Sequence, residues 1–488
     1  MKARPIILLL AAILLIQLIA CGQDGSASSL PDSDGTAASA EPDTTTVPEE
    51  TAVPLGIEKE DNGGRDFHIL VPTEKNYEFV TESNGEVVND AMLARSQKAE
   101  ELFNIRFSYQ YEPGGWDTRD PYNKIISSAV LAGDSAYDIA TGYIVCTLPL
   151  YMNGVFIDLA SVPSIDLDNQ WWMRDLYSDL NIGGKLYCVF GDGNLSVYKD
   201  CSIVYFNKQV LDDFGLENPY ELVRSSTWTM PKMLEMSETV KADLNGDSKI
   251  DKDNDRIGAY GQGVPMRAFQ TALDVKIFDT GENGERIVVG LTDRLVTAYE
   301  LVNNFYHRED LYAEFNAVDF PTFTSILAEN RALFHMSYLN VLEGDVMRNM
   351  EADFGLVPYP KLDESQEKYK AQIGTATNVM FMPKTVSDPA LSGRVMESLN
   401  YYSMLEVIPT YYTVALQQKY TRDADVPEML DIIREGMTMD FAFAYSTCFS
   451  DPWPNTVMVQ KDADMASYIA KAQPKWEKQI EKFIEKAE

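Results

Sequence analysis

The chain has 488 residues, of which 75 are Asp or Glu and 41 are Lys or Arg, for a formal net charge of −34. So acidic a chain lacks the cationic face that phosphate backbones demand, which excludes a nucleic-acid partner. The stretch of ~420 residues after Arg65 exceeds what one hydrophobic core usually serves, so two lobes are expected.

Lys2 and Arg4 precede an unbroken apolar run from Ile6 to Ile16, the layout of a secretory signal peptide over residues 1–20. The alternative is an uncleaved single-pass anchor. Leu18 and Ala20 ahead of Cys21 resemble the lipobox of bacterial lipoproteins. That resemblance implies cleavage before Cys21, a diacylglycerol on its sulfur, and a protein lipid-anchored at the extracellular face of the cell membrane. Two acyl chains at ~0.8 kcal/mol per buried methylene anchor stably where one is marginal. Residues 22–55 are rich in Gly, Ser, Thr, Pro, Asp and Glu and almost lack large apolar groups, so they cannot repay the entropy of folding. The lipidated cysteine and a disordered tether are therefore assigned to 21–60, with an end-to-end distance of ~30 Å.

From Asp66 the pattern becomes globular. Asp66–Val71 reads as a strand, residues 87–105 as a helix with Met92, Ala99, Leu102 and Ile105 near one face, and Ile105–Tyr111 as a second strand. A helix around Tyr122–Gly133 and a strand Tyr137–Thr141 follow. This alternation signals an α/β lobe with a largely parallel sheet. Cys146, Cys188, Cys201 and Cys448 show no metal-type spacing and have apolar or aromatic neighbours, which favours buried free thiols over a disulfide framework.

Residues 183–192 and 201–208 read as extended. Helices are expected over 209–223, stopped by Gly215, and over 227–242, with Thr229 as N-cap and Pro231 in the first turn. Next comes an acidic loop in which Asp243, Asn245, Asp247, Lys249 (main chain) and Asp251 stand at alternate positions, as oxygens do in a calcium loop. Ser248 stands where such a loop carries Gly and Asn254 where it carries a bidentate Glu, so Asp255 or Asp253 must close the site by a shift of register. The expectation is a structural Ca²⁺ bracing this loop; a plain acidic turn is the alternative. Thereafter a helix over 292–307, strands over 332–339 and 379–384, and a mostly helical remainder ending in residues 474–488 complete the reading.

The run from Cys201 to Val240 resembles the family 1 extracellular solute-binding proteins of carbohydrate ABC transporters: Phe206, Asn207 and Lys208, then Gly215, Leu216, Pro219 and Trp228. Further agreement lies in residues 169–192, 326–342, 353–361, 408–423 and 428–441, in matching order. The resemblance implies a periplasmic-binding-protein-like fold of two α/β lobes with an interlobe cleft and hinge crossings. The lobes would comprise 61–185 plus 320–376 and 186–319 plus 377–488, the latter with a helical C-terminal region. Crossings would fall near Gly184–Val189, Tyr312–Phe320 and Thr375–Val379. It also implies a monomeric, non-enzymatic receptor that captures a carbohydrate and delivers it to ABC permease subunits.

A sugar offers C–H faces to aromatic rings and hydroxyls to polar groups, so the candidate ligand contacts are Trp116, Tyr143, Trp171, Trp172, Asp192, Tyr338, Tyr411, Tyr412 and Trp453. For each, packing or a simple turn is the competing role. Two rival functions stay open: a lipid-anchored glycoside hydrolase, which needs two carboxylates ~5–9 Å apart, and a receptor of the same fold for a peptide or other non-sugar solute. No G-x-S-x-G, HExxH or P-loop motif is present.

Overall fold

The computed structural model describes residues 54–282, 285–315, 325–417, 423–450 and 452–487. The expected signal segment, Cys21 and residues 22–53 of the expected tether lie outside the described residues, as do residues 316–320 of one expected crossing. The last part of that tether is corrected, because Leu55 and Ile57 pack against the core and Glu60 N–H donates to Leu102 O at 2.8 Å.

Thirteen strands are described: β1 (Arg65–Pro72), β2 (Ile105–Glu112), β3 (Ile139–Tyr143), β4 (Ser202–Asn207), β5 (Ile257–Gln262), β6 (Phe278–Thr280), β7 (Arg286–Val288), β8 (Tyr312–Phe315), β9 (Ala332–Tyr338), β10 (Phe354–Val357), β11 (Ala371–Gln372), β12 (Asn378–Phe381) and β13 (Met437–Thr438). They build two principal sheets. The first has the order β12-β3-β1-β2, with β1 parallel to both neighbours and β12 antiparallel to β3. The second has the order β10-β4-β9-β5-β8, parallel from β9 to β8 and antiparallel at β4. β6–β7 and β11–β13 are two-stranded ribbons.

Local chemistry explains the main elements. β4 is wholly buried, as a central strand with both faces covered must be. Asn207 caps the helix that follows it by accepting from the Val210 N–H, and Gly215 takes φ +59° in the turn beyond. The Thr229 hydroxyl accepts from Lys232 N–H at the start of helix Met230–Val240, with Pro231 in its first turn. The C-terminal helix runs Met465–Ala487 and buries Trp476, Ile480 and Phe483. Residues 183–192 form isolated bridges instead of a strand.

The division of the lobes differs from the sequence expectation. β9 and β10, assigned to the first lobe, pair with β4 in the second sheet; β12, assigned to the second lobe, pairs with β3 in the first. Apolar runs returning late in a chain look alike, and only hydrogen-bond register decides which sheet receives them. The first crossing is corrected too: Val189 bridges to Met380 of β12, so Gly184–Val189 stays with the first lobe, and the chain passes over at Tyr198–Cys201. Tyr312–Phe315 is an edge strand of the second sheet. The return falls at Ile373–Thr377, beside the first: Gly374 N–H donates to Asp200 O at 2.8 Å and Cys201 bridges to Ile373. A Cβ on Gly374 would stand 2.8 Å from that same oxygen, so only glycine permits the approach.

Cys146, Cys188 and Cys201 are buried free thiols and Cys448 is half-buried. Burial pushes the Cys146 and Cys448 thiols up to about 12, which leaves them protonated and inert. Among the described residues no helix is long and apolar enough to cross a membrane.

Candidate functional site

Parallel strands end on one edge, and in open α/β sheets ligands bind outside that edge. Beyond β1 the chain turns through Thr73–Glu78, which carries Lys75 and Tyr77; β3 ends at Tyr143. Facing them are the first residues of β4 and the last of β9, paired Ser202 to Tyr338. The two sheets therefore present these ends to each other across the crossing segments.

There Lys75 Nζ lies 2.7 Å from Asp200 Oδ2, with the two residues 5% and 6% exposed. Asn340 Nδ2 donates to Asp200 Oδ1 at 3.0 Å. Beside this pair Lys199 Nζ meets Glu343 Oε2 at 2.7 Å, and the Tyr411 hydroxyl donates to Glu343 Oε1 at 3.2 Å. Tyrosine rings fill the space between: Lys75 Nζ is 5.2 Å from the Tyr143 centroid and 5.9 Å from that of Tyr77, which Lys199 approaches to 4.4 Å. Burial, followed by nearby carboxylates, raises the phenols of Tyr77, Tyr143 and Tyr338, so these hydroxyls stay neutral and able to donate. A cavity of 290 Å³ opens at one end, lined in part by Tyr77, Lys199, Glu343 and Tyr411.

A second cavity, of 530 Å³, lies on the other face of the crossing. Consecutive residues mark the two sides. Lys199 points to the cluster just described, whereas Tyr198 lines the larger cavity with Trp172, Asp192 and Arg434. Likewise Tyr411 faces Glu343 while Tyr412 packs edge-on to Tyr198 at 5.7 Å. Asp192 is 2% exposed, accepts from the Tyr198 hydroxyl and stands 3.8 Å from Arg434. Burial pushes its carboxyl up to about 6 against the opposing pull of Arg434 and Tyr198.

Of the residues expected to touch ligand, Tyr143, Tyr338 and Tyr411 thus come together at the Lys75–Asp200 cluster. Asp192, Trp172 and Tyr412 gather on the opposite face of the crossing. Trp171 is 1% exposed, and its indole N–H donates to Glu397 at 2.5 Å while that of Trp172 donates to the same carboxylate at 2.9 Å. Trp171 is therefore corrected from a ligand contact to a packing residue. Trp116 is half-exposed on the loop after β2. Trp453 is also exposed; it precedes the turn Pro454–Val459, which packs on helix Gly263–Arg267, and Arg267 acts electrostatically on Tyr338.

Lys75, Tyr77, Lys199, Asp200, Asn340 and Glu343 were missed by sequence reasoning. A signal existed for some: Lys75 and Tyr77 lie three and five residues past the end of β1, and Lys199–Asp200 is a charged pair separated by one residue from the apolar strand β4.

In the acidic loop, carboxylate oxygens of Asp243, Asp247 and Asp255 lie within 4.8 Å of one another. Ser248 adopts φ +70°, the left-handed turn that glycine would provide, and Asp255 is the residue that turns in to close the ring. Asn245 Oδ1 accepts from Asp247 N–H, and Asp251 Oδ1 accepts from the N–H groups of Asp253 and Asn254. Lys249 N–H donates to Asp247. Hard oxygen donors converging at this spacing fit Ca²⁺.

No family model matches the chain, and no curated protein matches it in sequence. Solved structures do match. An ABC substrate-binding protein from Listeria monocytogenes in complex with cycloalternan aligns with a TM-score of 0.52 at 13% identity, covering 86% of this chain and 99% of that one. The galacto-N-biose-/lacto-N-biose I-binding protein of the ABC transporter from Bifidobacterium longum, in complex with lacto-N-biose, aligns with a TM-score of 0.52 at 13% identity, covering 87% and 99%. What is shared at that identity is the fold: two α/β lobes of the periplasmic-binding-protein type, as the sequence led us to expect.

Proposed function

We propose that this chain is the extracellular receptor of an ABC importer, lipid-anchored through Cys21, which captures an oligosaccharide between its lobes and delivers it to the permease. One observation carries the reading: tyrosines and two lysine–carboxylate pairs converge between the facing ends of two sheets. Tyr77, Tyr143 and Tyr338 offer rings and neutral hydroxyls, while Lys75–Asp200 and Lys199–Glu343 offer donors and acceptors that sugar hydroxyls can share. The two fold relatives were solved with cycloalternan and with lacto-N-biose, which supports the same ligand class here by analogy of fold.

Capture works by population shift. A ligand that touches both lobes binds the closed form more tightly than the open one, and only that difference moves the equilibrium. The solute leaves chemically unchanged, so no acid–base pair is assigned. The anchor and tether rest on the N-terminal sequence, and Ca²⁺ in the acidic loop is proposed as a local brace.

A thermal-shift screen of the purified protein against malto-, manno- and galacto-oligosaccharides tests the reading. A ligand at a hundred times its Kd adds ~2.7 kcal/mol of stability. Stabilisation only by peptides or anions would transfer the chain to another solute class. Release of reducing sugar during incubation would replace the receptor with a hydrolase.

A further inference from the structure

The carboxyl edge of the first sheet does not end at the Lys75–Asp200 cluster. β2 lies beside β1 in strict parallel register, Pro72 opposite Glu112, so its exit reaches the same edge as Tyr143 and Lys75. Four residues past β2 stands Trp116, 50% exposed. A tryptophan left open to water forfeits the stabilisation its burial would bring, and loops at this edge are where ligand contacts concentrate.

The loop is also held firmly. Gly114 N–H donates to Glu74 Oε2 at 3.0 Å, and Glu74 is the residue next to Lys75. Gly114 is required by space: a Cβ there would stand 2.8 Å from the Tyr122 ring and 3.0 Å from Pro72 Cβ. Trp116 is thereby tied to the inner cluster through one hydrogen bond and a short piece of chain. Its ring is steadied by Arg119, whose guanidinium carbon lies 4.9 Å from the ring centroid and whose Nη1 donates to the Trp116 carbonyl.

We infer that Trp116 is an outer stacking platform that extends the carbohydrate site along the carboxyl edge of the first sheet, and that the ligand class is a linear oligosaccharide long enough to reach it from the inner cluster. The inference rests on the carbohydrate reading above. A chain gripped at Lys75, Asp200 and Tyr143 runs outward past Glu74, where the indole face meets the C–H face of a distal sugar unit.

Isothermal titration of the full chain with malto- and manno-oligosaccharides of two to six units tests it, using the unsubstituted protein, Trp116→Ala and Trp116→Tyr. Stacking of this kind is worth on the order of tenfold in Kd. Trp116→Ala is expected to weaken binding of the four- to six-unit ligands about tenfold while leaving the two-unit ligand unchanged, and Trp116→Tyr is expected to restore most of the loss. Ligand-induced quenching of tryptophan fluorescence should fall in Trp116→Ala for the long ligands only. If the unsubstituted protein binds these sugars and Trp116→Ala has the same affinity at every length, or an equal loss at every length, the outer platform is overturned and the carbohydrate reading survives. If no sugar binds the unsubstituted protein, the carbohydrate reading falls and the platform with it.

Discussion

Asp192 and Glu397, the partner of the tryptophan pair, show how one functional group takes different roles by environment. The carboxylates of Asp192 and Glu397 are both 2% exposed, but Glu397 accepts two indole N–H groups, the Asp166 N–H and the Asn169 side chain. Asp192 instead keeps an oxygen without a partner among the described residues. Burial, which raises both carboxyls, makes the native state hold the Asp192 proton more tightly than the unfolded chain, whose aspartates titrate near 4. With a folded value of about 6, the stability contributed by protonated Asp192 is complete below about pH 4 and disappears as pH rises through 6. Asp192→Asn is expected to remove roughly 3 kcal/mol of this pH dependence, read from urea unfolding at pH 4 and pH 7. An unchanged pH profile would refute the burial argument. Trp171 and Trp172 were legible in the sequence as a pair torn between ligand contact and packing, but the carboxylate that claims both lies more than two hundred residues away in the chain, so the sequence could not choose between those roles.

At the scale of elements, the strands and helices that carry the site follow from local pattern. β1 and β2 have the expected bounds within a residue or two, and the Thr229 cap and Gly215 turn occupy the expected positions. Local rules suffice there because period, capping and turn chemistry act over a few residues. The acidic loop was equally legible, since its alternating oxygens are a local feature; which aspartate closes it depended on the turn at Ser248. Removing divalent ions with EDTA is expected to lower the unfolding midpoint, and added Ca²⁺ to restore it. Asp247→Ala, which removes one of the three converging carboxylates, should abolish that response. An equal midpoint with EDTA and with millimolar Ca²⁺ would leave the loop a plain acidic turn.

At the scale of the molecule, the Lys75–Asp200 pair joins the turn after β1 to the start of β4, so it spans the lobes. Lys75→Met strands a buried carboxylate, a change that typically costs on the order of 3–5 kcal/mol unless the group can rehydrate. Opening the lobes rehydrates it. The expected outcome is a larger radius of gyration for Lys75→Met than for the unsubstituted protein in small-angle scattering. An unchanged radius together with an unchanged unfolding free energy would show that the pair does not hold the lobes.

The alternation of strand and helix was readable from the sequence because it is written in periodicity, and a two-lobed α/β fold was expected from chain length together with the family resemblance. The lobe to which β9, β10 and β12 belong was decided only by tertiary pairing. So was the meeting of Lys75, Asp200, Asn340 and Glu343, which are contributed by segments far apart in the chain. Local rules cannot carry that information: hydrogen-bond register and burial are set by residues distant in sequence, and they choose which side of a crossing segment each side chain will face.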